Sequence, residues 1–330
     1  MVFKRKKIIA LSIVGILIIL TLILNYLTIN KENLKKSKIP VRDVMSYERI
    51  KFRQRFIAGD KDAEYKIGLV KIEGEIIGYS GKYYYRSIPE IVKSALDSFK
   101  EDEKVKGIIL QINSPGGDIV EVEKIYDKIQ EIKKSKPIIA LLENVATSGG
   151  YYCAVGTDKI ISHPLTITGN IGAVIILYNV EELFEKKLGI NMNVIKSGKH
   201  KDIGSPFRKM DIEEKKIFQG LVNQAAKKFL DVVLRNRNIP SEKVNIISDG
   251  RIFTGIQAKE IGLVDEIGNL DKAVSVIKEM TKIDKLKVVE YYYKPGIFDV
   301  IGLYQSEKLL FSKIPEIKTP VLKYLWLPGD

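Results

Sequence analysis

The sequence predicts an α/β fold built on a mostly parallel, buried sheet. Three observations predict it. Apolar, β-branched runs recur as KIGLVKIEGEI, VKGIILQIN and PIIALLEN. Stretches of helical periodicity separate them, as in SIPEIVKSALDSFKED and IVEVEKIYDKIQEIKK. Corners rich in Gly, Ser and Pro punctuate the junctions. Strands alternating with helices at this spacing read as β-α-β crossovers.

The elements follow in order. MVFKRKK carries four cations and no acid, and the chain then runs uncharged from Ile8 to Asn30. As a helix, Ile8 to Ile29 reaches about 33 Å, enough for a bilayer core of about 30 Å. Its length and the lack of an A-x-A site favour an uncleaved anchor over a signal peptide. The leading cations place the N-terminus in the cytoplasm and the rest of the chain beyond the membrane. Residues 30–64 are charged and weakly periodic, a stalk with helical character at DVMSYERIKFRQRF. A globular unit opens near Tyr65. Its first helix has Ser87 as N-cap and Pro89 in the first turn, with Ile91, Ala95, Leu96 and Phe99 on one face. KIISHP, TGNIGAVIILYN and NMNVIKSG continue the strands. A long helix spans DIEEKKIFQGLVNQAAKKFLDVVLRNRN, and its stripe of Phe218, Leu221, Val222, Ala225, Phe229, Val232 and Val233 suits a core or a subunit interface. Pro240 closes it. DGRIFTGIQAKEIGLVDEIG and LDKAVSVIKEMTK add a turn, short helices and a closing helix. The tail from Pro295 shows no period.

Composition narrows the function classes. The net charge is +13, but the lysines are spread among acids and no helix carries a basic stripe with interleaved aromatics, which argues against a nucleic-acid partner. The lone Cys153 excludes an intrachain disulfide and sits in a small apolar run, as a packing residue does.

Two corners carry chemistry. In ENVATSGGYYCAVG, Ser148 stands between a strand and a helix, followed by two glycines. A strand-to-helix turn capped by serine is one reading. The other is a nucleophile elbow, with Oγ exposed and the Gly149 N–H aimed at a reacting carbonyl oxygen. In QINSPGGDIV, Gly116 and Gly117 lie at the end of the neighbouring strand and open a helix. Strand C-termini of a parallel sheet share one edge, so either glycine can supply a second oxyanion donor. The hydroxyl needs a base. His163 precedes a proline at a strand end and reads as structural. His200 lies between Lys199 and Lys201, whose charges disfavour an imidazolium. A lysine can serve where its pKa falls by about 3 units from about 10.4, roughly 4 kcal/mol.

Taken in order, NSPGG, ATSGGYY, TGNIG, IKSGKHKDIGSPFR and DGRIFTG with IGLVDEIG resemble the signal peptide peptidase A family of serine peptidases, over about residues 65–270. The resemblance implies a Clp-protease/crotonase-like α/β fold with a peptidase domain at 65–294, preceded by a basic tail (1–7), a transmembrane helix (8–29) and the stalk, and followed by a tail (295–330). It implies a Ser–Lys dyad, with Ser148 as nucleophile and Lys201 as general base and acid; Lys199 is the nearby competitor. Relatives carry serine in TGS-G, where its hydroxyl supports the lysine. This chain has Asn170 instead, with Thr168 as a substitute. The family needs no cofactor and no metal. It cleaves peptides, remnant signal peptides among them, and its short members form homo-oligomeric rings in which a Ser and a Lys from adjacent subunits meet. Two other readings compete: a crotonase-like acyl-coenzyme A enzyme and a catalytically silent membrane scaffold. The anchor and the lack of a well-placed Glu pair count against the first, the presence of both dyad candidates against the second.

Overall fold

A computed structural model describes residues 50–78, 86–295 and 321–327. The expected anchor at 8–29 lies outside these. Among the described residues no helix is long and apolar enough to cross a membrane.

The compact unit begins at Ile50. Strand β1 (Phe52–Gly59) comes from the segment read as a partly helical stalk. FRQRFIAG instead pairs antiparallel with the late strand β11 (Leu286–Tyr293), where Arg55 reaches the buried carboxylate of Glu290 at 2.5 Å. The core strands are β2 (Tyr65–Glu73), β3 (Val105–Ser114) and β5 (Ile138–Thr147). They lie side by side and parallel, and both faces are buried, so their apolar residues run continuously rather than alternating. With β6 (Lys159–Ser162) and β10 (Glu266–Ile267) the order is β1-β11-β2-β3-β5-β6-β10. β7 (Ile167–Gly169) extends the far end of β5 in parallel and pairs antiparallel with β9 (Ile252–Thr254).

Helices cover both faces. On one side lie α1 (Ile88–Glu101), α2 (Ile119–Ile132), α3 (Gly149–Val155) and α4 (Ile212–Asn236). Ser87 stands at the N-cap of α1 as its sequence predicts, its N–H donating to Glu90 Oε2 (3.0 Å), and Val92 rather than Ile91 joins Ala95, Leu96 and Phe99 in burying the inner face. Val92, Leu96 and Phe99 each contribute about 1.5–3 kcal/mol by burial. On the other side α7 (Leu270–Thr281) presses Ala273, Val274 and Ile277 onto Ile67, Ile109 and Ile139. Between α4 and α7 lie α5 (Val244–Ile247) and α6 (Gly255–Glu260).

The structure departs from the sequence reading at several places. The stretch NMNVIKSG is not a strand: residues 191–198 carry no regular structure, and Val194 and Ile195 are exposed. Gly116 and Gly117 do not open a helix. They form a short strand, β4 (Gly116–Asp118), and α2 begins after it with Asp118 as N-cap. The aperiodic tail holds a strand, β12 (Leu322–Leu325), which joins β4 and β8 (Val174–Ile175) in a separate antiparallel sheet. The stripe of α4 is core only in its second half, at Ala225, Phe229, Val232 and Val233; Ile212, Ile217 and Leu221 are exposed.

Candidate active site

Ser148 sits where β5 ends and α3 begins, at φ 51° and ψ −119°. A positive φ on a residue with a Cβ costs about 1–3 kcal/mol and persists only where the surroundings enforce it. Here they do. The Ser148 N–H donates to the Gly169 carbonyl at the end of β7 (2.8 Å), and the Tyr152 N–H donates to the Ser148 carbonyl (2.8 Å). Ser148 is 1% exposed, and its Oγ makes no capping bond to the helix it starts. That removes the capping reading and leaves the hydroxyl uncommitted.

The glycines that follow are required by close approach. A Cβ on Gly150 would stand 2.7 Å from the Ser114 carbonyl oxygen, and one on Gly149 would stand 3.1 Å from the Gly116 Cα. The SGG and PGG corners therefore press backbone to backbone, as their places on adjacent strand ends predict. Gly116 has φ 104°, and a Cβ there would stand 2.6 Å from the Gly149 nitrogen. The two donors differ in their commitments. The Gly116 N–H turns back to Ser114 Oγ (3.1 Å), while Gly117 pairs across from Tyr324 of β12.

Thr168 and Asn170 flank Gly169. Thr168 is buried and its hydroxyl donates to the Ala146 carbonyl (2.7 Å); Asn170 Nδ2 donates to the Gly250 carbonyl (2.6 Å). Asn170 itself has φ 53°, a conformation asparagine tolerates better than most residues. Both side chains fasten the turn that holds Ser148.

The base candidates lie in the turn after residue 196. No hydrogen bond joins Ser148 to Lys199, His200 or Lys201 within the chain. Lys201 is exposed, and its Nζ makes no hydrogen bond or ion pair among the described residues. Lys199 is bound to Glu213, whose carboxylate raises its pKa and keeps it charged. His200 Nε2 lies 3.1 Å from the same carboxylate. His163 is exposed, and its Nδ1 accepts from the Leu165 N–H (3.4 Å). Cys153 is fully buried, and burial pushes its thiol far above the ordinary range, so it packs and does not react.

One fixture of this turn escaped the sequence reading. Arg208 grips Asp202, next to Lys201, with Nε–Oδ2 at 2.8 Å, and Glu214 in the first turn of α4, with Nη1–Oε2 at 2.8 Å. The guanidinium holds Glu214 down to about 2, and with Lys196 it holds Asp202 lower still. The R in SPFR and the EE opening the helix were visible, but nothing in their spacing marked them as partners. Strand β12 escaped as well; its only signal is a short apolar run, VLKYLWL, between two prolines.

A model of peptidase family S49 matches residues 130–284, and a Clp protease model matches residues 69–166. A "Putative protease" of Methanocaldococcus jannaschii is 38% identical over 59% of this chain and 63% of the relative. A "Putative signal peptide peptidase" of Enterococcus faecium is 42% identical over 59% of this chain and 57% of the relative. This chain thus spans less than two thirds of either. A "Putative protease" of Synechocystis sp. is 35% identical over 68% of this chain and 77% of the relative. With that coverage, and with the motifs seated at neighbouring strand ends of a mostly parallel α/β sheet, the chain belongs to peptidase family S49, the family of signal peptide peptidase A.

Proposed function

We propose that the protein is a membrane-anchored serine endopeptidase using a Ser–Lys dyad. One observation carries the reading: Ser148 is held at positive φ on a strand-to-helix corner, its Oγ free of any capping bond, with Gly149 packed against the PGG corner. Ser148 Oγ attacks the peptide carbonyl carbon while Lys201 Nζ takes its proton. The oxyanion is met by the Gly149 N–H and by the N–H of Gly116 or Gly117. Lys201 then returns the proton to the leaving amine, and water attacks the acyl ester to restore the serine. Thr168 and Asn170 position the Ser148 turn through their bonds to Ala146 and Gly250.

The freedom of Lys201, and its lack of contact with Ser148 in the chain, support a dyad shared between adjacent subunits. The exposed apolar side chains of Ile195, Ile212, Ile217 and Leu221 support a neighbouring copy of this chain at that face. The N-terminal span supports a single-pass anchor with the peptidase domain outside the cytoplasm. The substrates we assign are remnant signal peptides and misfolded membrane-associated proteins.

The test is Ser148→Ala. Peptide turnover and labelling by a fluorophosphonate probe are expected to vanish, with the thermal melt unchanged because alanine keeps the Cβ at the same backbone conformation. Wild-type turnover in the purified variant would refute the assignment.

A further inference from the structure

The hydroxyl of Thr147, next to the serine corner, has no partner. Thr147 is 0% exposed, and its Oγ1 is one of four buried side-chain polar atoms without a hydrogen bond among the described residues. It is the only hydroxyl of the four. A buried hydroxyl left unsatisfied costs about 1–3 kcal/mol, so its place beside a nucleophile calls for a reason. The other hydroxyls around the corner are committed to carbonyls. Thr166 Oγ1 donates to Glu143 (2.5 Å), Thr168 Oγ1 to Ala146 (2.7 Å) and Ser114 Oγ to Gly74 (2.7 Å). Across the strand pair from Thr147 stands Gly169, which brings no side chain to meet it. Asn170 turns its amide to Gly250.

The base has the complementary need. Lys201 Nζ makes no hydrogen bond or ion pair among the described residues. A lysine that takes a proton from Ser148 must present its lone pair to Oγ, so its N–H bonds must point elsewhere. They need an acceptor that orients the amine without holding it charged. A carboxylate fails on the second count, as Glu213 shows at Lys199, whose pKa it raises. A hydroxyl oxygen carries no charge. The two segments that meet at the corner, residues 144–157 and 164–173, contain no acid. Ser148 is itself 1% exposed, so an amine reaches it only as the corner opens, and Thr147, its chain neighbour, opens with it.

We propose that Thr147 is the positioning residue for the base: its Oγ1 accepts a hydrogen bond from the Lys201 amine and turns the nitrogen lone pair toward Ser148 Oγ, whichever subunit supplies the lysine. This rests on the Ser–Lys reading above and adds to it the group that orients the lysine. After the proton moves, the same oxygen accepts from the ammonium and stabilises the charged base while the oxyanion forms.

The test is the pH profile of kcat/KM in Thr147→Val, which removes the hydroxyl and keeps the shape of the side chain. The plateau should fall about tenfold to a hundredfold. The acidic limb should move down by about one pH unit, because the ammonium loses an acceptor and gives up its proton more readily. Lys196, Lys199, His200, Asp202, Arg208 and Glu213, the charged and titratable groups of the Lys201 turn and of the helix start beside it, are the same in both proteins and do not produce the shift. Thr147→Ser, which keeps the oxygen, should recover most of both plateau and limb. A hydroxyl that only packs predicts otherwise: a lower melt and plateau, with the limb unmoved, or moved up as water reaches the lysine. A limb that does not move down in Thr147→Val, or Thr147→Ser no better than Thr147→Val, overturns the proposal. If Thr147→Val does not fold, Thr147→Ala is judged by the same two measures. Lys201→Ala keeps the two readings apart. If it is active with its acidic limb intact, the dyad reading fails and takes this one with it; if it is dead while Thr147→Val matches the wild type, only this proposal fails.

Discussion

The Ser148 corner and the Lys201 turn are built by opposite means. The corner is buried, strained and fixed by backbone: Ser148 is tied through Gly169 and Tyr152, and Gly149 and Gly150 leave no room for a Cβ. The turn from 196 to 208 is held by charge, through Lys196, Asp202, Arg208 and Glu214, with Lys201 left exposed among them. The serine corner is complete within the chain, whereas Lys201, the base we propose, makes no contact with it there. The sheet fixes the geometry of the corner, whereas a turn held by charge can adjust. The strongest way to break this contrast is at Lys201. Lys201→Ala should lose about 10²–10⁴-fold in kcat/KM on an apolar peptide. Lys201→Arg should not recover it, because a guanidinium stays protonated at any working pH. Co-expressed Ser148→Ala and Lys201→Ala subunits should regain activity in mixed assemblies; none at all would show that the dyad forms within one chain.

A matched pair of glycines sharpens the comparison. Gly150→Ala drives a methyl to 2.7 Å from the Ser114 carbonyl oxygen, and backbone cannot swing aside as a side chain would. A loss of about 1–3 kcal/mol in unfolding free energy is expected, with activity falling as the corner shifts. Gly198→Ala, in the charged turn, meets nothing within 4 Å and has no positive φ. Its effect should stay within about 0.5 kcal/mol. Denaturant melts of the two variants measure both, and equal losses would erase the distinction.

The same contrast explains what was legible in the sequence. The parallel core and the serine corner could be read because their signals are local: continuous apolar runs, a capping box at Ser87 and Glu90, and glycines next to the serine they serve. The misread parts depend on partners far along the chain. FRQRFIAG becomes a strand because β11, more than two hundred residues later, offers an edge. NMNVIKSG has strand-like composition, yet no edge among the described residues receives it, and Ile195 is left 103% exposed. VLKYLWL is too short to show a period, and its partners β4 and β8 are shorter still. Gly116 and Gly117 lie beside Gly149, as read, but in a strand rather than at a helix opening, since PGG before an amphipathic helix looks like a helix opening whether or not a strand intervenes. Arg208 was one cation among 54 Lys and Arg residues, and only the fold pairs it with Asp202 and Glu214.

The clamp makes a pH prediction. Glu214 is held below its ordinary value by Arg208, so its contribution is fully present above about 4.5 and is lost as pH falls toward about 2. Removing the guanidinium in Arg208→Ala takes away that hold, and Glu214, buried at the start of α4, should then protonate at higher pH. Limited proteolysis within residues 196–208, followed from pH 6 to pH 3, should show cutting begin at higher pH in the variant than in the wild type. The melting temperature should change less than the cutting rate, because the sheet does not depend on this turn. Identical cutting profiles would mean that the clamp does not hold the turn.

The smallest effects are expected beside Lys201. Lys199 and His200 both lean on Glu213, an exposed carboxylate, and surface pairs of this kind contribute about 0.2–1 kcal/mol. Lys199 is held charged by Glu213, so it cannot accept a proton from Ser148 without first giving one up. Its loss in Lys199→Ala should cost no more than about fivefold in kcat/KM. His200 presents Nε2 to that carboxylate, while its Nδ1 is buried with no hydrogen-bond partner, so neither nitrogen is aimed at a serine in this chain. His200→Ala should therefore keep most of its turnover, and its pH profile should keep the wild-type shape, because the group that titrates with activity is still present. A changed profile, with the acidic limb lost and turnover abolished in His200→Ala while Lys201→Ala stays active, would move the proton to the imidazole and replace the Ser–Lys pair with a Ser–His one.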